Sequence, residues 1–176
     1  AYSPVHMYKV ADPFPLSLQS PVLHNRTVVK LSPTAFLLVD YVEPTCAQVI
    51  RFHVPRTDIA QDGYTMTARY ESCTLSLVAL SESLQPAVAG ICQPATPALA
   101  TREITFTQNT APLSLTLIAA GPVDAQPPVV SRMDGAYTIS LGESVLTIDI
   151  STDSILKITN TRSGEDQVIP IGNFVQ

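Results

Sequence analysis

The sequence predicts an all-β protein, an antiparallel β-sandwich of jelly-roll-like type. Three observations carry that prediction. Apolar and small polar side chains alternate with a period of two along most of the chain. Helical periodicity is nearly absent, and fifteen prolines would interrupt helices throughout. Turn signals recur at roughly 8- to 12-residue spacing, the interval expected of a sandwich or barrel.

Residues 1–25 form the first unit. Pro4, Pro13, Pro15 and Pro21 are spread among Val5, Met7, Tyr8, Val10, Phe14, Leu16, Leu18 and Leu23. Proline there excludes a continuous helix or a central strand, yet the segment is too apolar for a solvated linker. It reads as an extended arm laid on its own or a neighbouring subunit, or as an edge strand with an irregular lead-in. Residues 26–176 read as one sandwich domain.

Within that domain, the apolar runs Thr34 to Val42 and Ala47 to Val54 suit central strands. Alternation then marks Thr65 to Tyr70, Thr74 to Leu80, Thr105 to Thr107, and Leu113 to Leu117. It continues at Tyr137 to Ser140, Val145 to Ile150, and Ile155 to Thr159. Successive strand side chains point to opposite faces, so each segment buries one face and wets the other. Asp62-Gly63, Asp134-Gly135, Leu141-Gly142-Glu143 and Arg162 to Asp166 supply turns between them. Only Ser81 to Ala89 leaves room for a helical turn.

Composition narrows the function. A chain of 176 residues buries about 70% of its unfolded surface and folds without staples. Charged residues are 14%, against roughly 25% in an average domain. A surface meant to be covered by partners needs less charge than one meant to stay wet. The net charge is −5 and no Lys/Arg run occurs, which disfavours direct nucleic-acid binding and anionic membranes. No apolar stretch is long enough for a membrane-spanning helix, and Ala1 to Pro4 resembles no signal peptide.

Three cysteines, Cys46, Cys73 and Cys92, cannot all pair within one chain. They read as reduced, buried thiols, with a single Cys73 to Cys92 bridge as the rival.

The search for chemistry yields no catalytic, cofactor-binding or metal-binding assignment. No Gly-x-Ser-x-Gly elbow occurs, and the seven glycines are scattered rather than clustered into a phosphate cradle. His6, His24 and His53 lie far apart, outside any metal-ligating spacing. A centre drawn from distant strands, such as Cys46 with His53, stays open, but a lone strand histidine reads first as a hydrogen-bonded structural residue. Asp149 and Asp153 read as a strand end and a turn rather than a calcium loop. Arg51, Arg56 and Asp58 read as a salt-bridged turn. The chain has no Trp, the strongest platform for stacking sugars. Asn25-Arg26-Thr27 matches the glycosylation sequon, a three-residue pattern common by chance.

These readings converge on a non-enzymatic structural subunit that associates with itself and with neighbouring structural subunits. A viral or phage virion protein (capsid, decoration or spike) assembled in a host cytoplasm is the first expectation. It implies no cofactor, no small-molecule substrate, no nucleic-acid contact and no membrane insertion. A secreted bacterial surface or pilus-like adhesion module using strand addition is the alternative. An enzyme on a sandwich scaffold comes last.

Overall fold

The computed structural model describes residues 22–55, 57–92, 101–108, 111–133, 135–151 and 155–171. Residues 1–21, most of the proposed arm, lie outside that set. The described residues form fourteen strands and no helix. In chain order they are β1 (Leu23–Ser32), β2 (Ala35–Glu43), β3 (Gln48–Pro55), β4 (Ile59–Asp62) and β5 (Thr65–Arg69). β6 (Thr74–Ala79), β7 (Gln85–Cys92), β8 (Thr101–Gln108), β9 (Leu113–Gly121) and β10 (Val129–Met133) follow. The last are β11 (Ala136–Leu141), β12 (Ser144–Ser151), β13 (Ile155–Asn160) and β14 (Asp166–Pro170).

All pairings are antiparallel and build three sheets. A six-stranded sheet has the order β1-β2-β9-β6-β5-β4, a five-stranded sheet is the meander β10 to β14, and a three-stranded sheet runs β3-β8-β7. The antiparallel β-sandwich expected from the alternation is therefore present, and it has a third layer. The six-stranded sheet lies in the middle, with each of its faces packed on another sheet.

The side-chain period of two explains how one sheet serves two cores. Leu37 and Val39 of β2, Leu115 and Leu117 of β9, and Val78 of β6 pack with Tyr137, Ile139, Ile148, Leu156 and Ile158 of the five-stranded sheet. The intervening residues turn the other way. Leu38, Leu77 and Met66 pack with Ile50, Val54, Ile104 and Phe106 of the three-stranded sheet. Phe52 and Phe106 meet edge to face, 5.7 Å between ring centroids, within this second core. A strand buried on both sides reads as an unbroken apolar run, which is why Phe36-Leu37-Leu38-Val39 shows no alternation.

One local expectation is corrected. The run Ala47 to Val54 does not form a central strand: β3 is an edge of the three-stranded sheet. Gln48, Ile50 and Val54 are buried while Val49, Arg51 and His53 are exposed, so the polar Arg51 and His53 mark a wet face. Ser81 to Ala89 holds no helical element. Leu84 N donates to Ser81 O at 3.0 Å in a tight turn, and β7 begins at Gln85. Cys73 is a free thiol, as is Cys46, so the bridge to Cys92 is not formed.

Hairpin register is set where glycine takes a left-handed backbone. Asp62 pairs with Thr65 and Leu141 with Ser144, leaving two-residue loops that start at Gly63 (φ 53°) and Gly142 (φ 60°). A side chain at either φ would crowd the backbone, so glycine is the residue such loops favour.

Candidate functional site

The most distinctive polar constellation sits at the start of β1. Asp40 interrupts the apolar run of β2 and is 1% exposed. An ionised carboxylate buried that deeply requires charged or hydrogen-bonding partners. The antiparallel register of β1 and β2 provides them, setting Arg26 directly opposite Asp40 and His24 two residues along the same face. Arg26 Nε donates to Asp40 Oδ1 at 2.7 Å and Nη2 to Oδ2 at 3.2 Å, a two-pronged grip. His24 Nε2 lies 2.7 Å from the same Oδ1. Both basic side chains remain half exposed, so the clamp joins an interior carboxylate to the surface.

A cleft of about 220 Å³ opens beside this clamp. Cys46, Ala47 and Gln48 from the lead into β3 form its opposite wall, and His24, Arg26 and Asp40 the near one. Gln48 Nε2 donates to Ala111 O at 3.1 Å, which ties that wall to the lead into β9. Across the β2–β9 ladder, Ser114 stands opposite Asp40 and Thr116 opposite Leu38. The hydroxyls of Ser114 and Thr116 are buried without a hydrogen-bond partner. Asp40 engages only Nε and Nη2 of Arg26, so the guanidinium carries Nη1 protons that the clamp does not use.

A second constellation lies on the open face of the three-stranded sheet. Glu103 of β8 faces Arg51 and His53 of β3, with Arg51 Nε to Oε1 at 3.4 Å and His53 Nε2 to Oε2 at 3.7 Å. Arg51 thus pairs across strands rather than within the expected Pro55 turn. Arg56 lies outside the described residues, and Asp58 takes no part in this cluster. Cys46 and His53 stay apart, separated by most of β3, which advances about 3.3 Å per residue.

The five-stranded sheet carries the clearest electrostatic pair. The Lys157 ammonium holds the Asp166 carboxyl below the usual carboxylate range, with help from the Thr159 hydroxyl, and Asp166 raises the Lys157 pKa in return. Asp149 lies exposed opposite Lys157 in the β12–β13 ladder, and Asp153 lies outside the described residues. Burial raises the pKa of the Tyr137 hydroxyl, opposed by the Arg132 guanidinium 5.5 Å above its ring. His6 also lies outside the described residues. Among those described, no group of three or more His, Cys, Asp or Glu side chains is placed to hold a metal ion.

Neither Asp40 nor Arg26 was expected to form an ion pair, Arg26 standing only as the middle residue of the Asn25-Arg26-Thr27 sequon. The signal was present: aspartate is almost never fully buried unless paired, so an Asp inside Leu37-Leu38-Val39-Asp40-Tyr41-Val42 calls for a cation on a neighbouring strand.

No protein-family model matches the chain, and no curated protein does. Among solved structures, it is similar to a heparinase III at a TM-score of 0.54 and 16% identity, over 84% of this chain and 23% of the other. A structure of heparinase III with methylated lysines gives a TM-score of 0.52 and 16% identity, over 83% and 23%. The likeness is one of fold. This chain spans less than a quarter of the length of the structures it resembles.

Proposed function

We propose that this chain is a non-enzymatic structural module whose role is to pack against another protein body, and that this body belongs to a heparinase-like, polysaccharide-acting protein. The observation that carries the reading is the fold likeness: most of this chain corresponds to a minor share of a heparinase III. The surface supports it. Val28 on β1, Val129 and Met133 on β10 and Val168 on β14 are exposed apolar side chains on a chain with little charge. A covering partner would remove them from water.

The test is made on the native source and on the isolated chain. An antibody to this chain should detect a polypeptide well above 18.9 kDa that degrades heparin or a related polysaccharide. The isolated chain should degrade none. A native species of 18.9 kDa, or depolymerisation by the isolated chain, would count against the proposal.

A second reading, the virion subunit, is favoured by the 14% charge content. It requires symmetric self-assembly of the isolated chain. Light scattering at high concentration separates the two, because particles or closed oligomers support the virion and a monomer opposes it.

A further inference from the structure

β1 ends the six-stranded sheet, so the side of its backbone turned away from β2 joins no ladder among the described residues. It is also the longest edge strand there, ten residues against eight in β3 and β7 and five or fewer in β4, β10 and β14. It contains no proline or glycine, and Leu23 to Lys30 keep unbroken register with β2. A regular edge of that length is a template on which another extended chain can pair.

The side chains of β1 select which chain. Alternation sets His24, Arg26, Val28 and Lys30 on one face, and all four are exposed. β2 presents Phe36, Leu38, Asp40 and Val42 on the same face, so Asp40 is the one carboxylate these two strands place there. Asp40 engages Nε and Nη2 of Arg26, which leaves the Nη1 protons outside the clamp. Lys30 has no ion-pair partner among the described residues. The face thus carries two full positive charges against one negative before His24 is counted, on a chain of net charge −5. Val28, 60% exposed, is the apolar step between Arg26 and Lys30.

This charge pattern turns away a second copy. Antiparallel pairing of two β1 strands centred on Val28 sets Arg26 opposite Lys30, and pairing centred on Thr27 sets His24 opposite Lys30. Like charges directly opposite one another destabilise a strand pair. The same cations attract a strand that carries carboxylates at alternate positions.

We propose that the free edge of β1 is the docking site for an extended acidic segment of a partner protein, which joins the central sheet as a further strand. Its alternate side chains place a carboxylate, an apolar group and a carboxylate over Lys30, Val28 and Arg26. The backbone ladder supplies affinity and the charges supply selection. The inference rests on the packing role proposed above only for the existence of a partner; the edge and the partner's chemistry come from β1, and the heparinase likeness plays no part.

The experiment titrates the isotope-labelled full chain with the end-capped peptide Glu-Val-Val-Thr-Glu-Thr-Glu, following backbone amides. Antiparallel to β1, it sets its glutamates against Lys30, Arg26 and His24. A version with lysine for each glutamate is titrated in parallel, as are two versions N-methylated on alternate sets of backbone amides. The glutamate peptide should shift the amides of His24 to Lys30, slow hydrogen exchange at those pointing away from β2, and leave β10 and β14 still. Lys30→Glu, at an exposed position, should weaken binding about tenfold, and added salt should weaken it further. One N-methylated peptide should lose binding and the other keep it, because only alternate amides of an added strand face its neighbour. Equal binding of the lysine peptide, equal behaviour of the two N-methylated peptides, or a silent β1 would overturn the proposal. So would a dimer forming through β1 with rising concentration, or outward β1 amides already protected in the free chain, where another segment of the same chain holds the edge. The native-mass measurement decides the packing role on its own, whatever the peptides do.

Discussion

At the scale of single residues, Asp40 is the position on which most depends. Its carboxylate is interior, and the two cations that satisfy it reach it from the surface. Arg26→Met should destabilise the protein by about 1–3 kcal/mol, less than the ~3–5 kcal/mol for breaking a fully buried pair, because Arg26 is half exposed. Urea unfolding checks this, and adding Asp40→Asn should recover part of the loss by removing the stranded charge. The Lys157–Asp166 pair makes a pH prediction with a definite sign. Asp166 has a lowered pKa in the folded state, so its contribution is fully present above the unfolded value of about 3.8. It is lost as pH falls below that value and through the lower folded one. Lys157→Ala should return the Asp166 titration, followed by carboxyl NMR, toward the ordinary range. Of these groups, the sequence alone displayed only Asp40 as an anomaly. The partners of Asp166 and Glu103 depend on strand register, which no local pattern around Asp166 or Arg51 records.

At the scale of elements, period-two alternation revealed strands reliably and their neighbours poorly. β12 and β13 were readable from Val145 to Ile150 and Ile155 to Thr159 because one face is wet and the other dry. β2 was readable as a central strand because both of its faces are dry. β3 misled because Val49-Ile50 and Phe52 look like an apolar run until Arg51 and His53 are given their own face. The hairpins were legible too, since Gly142 announces its turn through the backbone it permits. Gly142→Ala should cost about 1–2 kcal/mol in thermal or urea unfolding, although open space surrounds the new Cβ. The penalty comes from the positive φ and not from a clash. The same substitution at Gly121 would instead meet Ala125 Cβ at 2.6 Å, a steric penalty where β9 ends.

At the scale of the whole molecule, the sequence signalled a sandwich but not its third layer, because alternation says that a face is buried and never against what. The fold is therefore largely legible and the clefts are not, since Cys46 and Gln48 meet His24, Arg26 and Asp40 only through strands distant in the chain. The middle sheet has a thermodynamic corollary. β2, β6 and β9 line two hydrophobic interiors at once, so neither outer sheet can detach without exposing the backbone ladder on which the other depends. Melting should consequently be a single concerted event, with calorimetric and van't Hoff enthalpies agreeing. Amide hydrogen exchange should be slowest along β9, flanked by β2 and β6 and covered above and below. A lesion such as Leu117→Ala on one interior would then loosen the sheet on the far side, which it never touches.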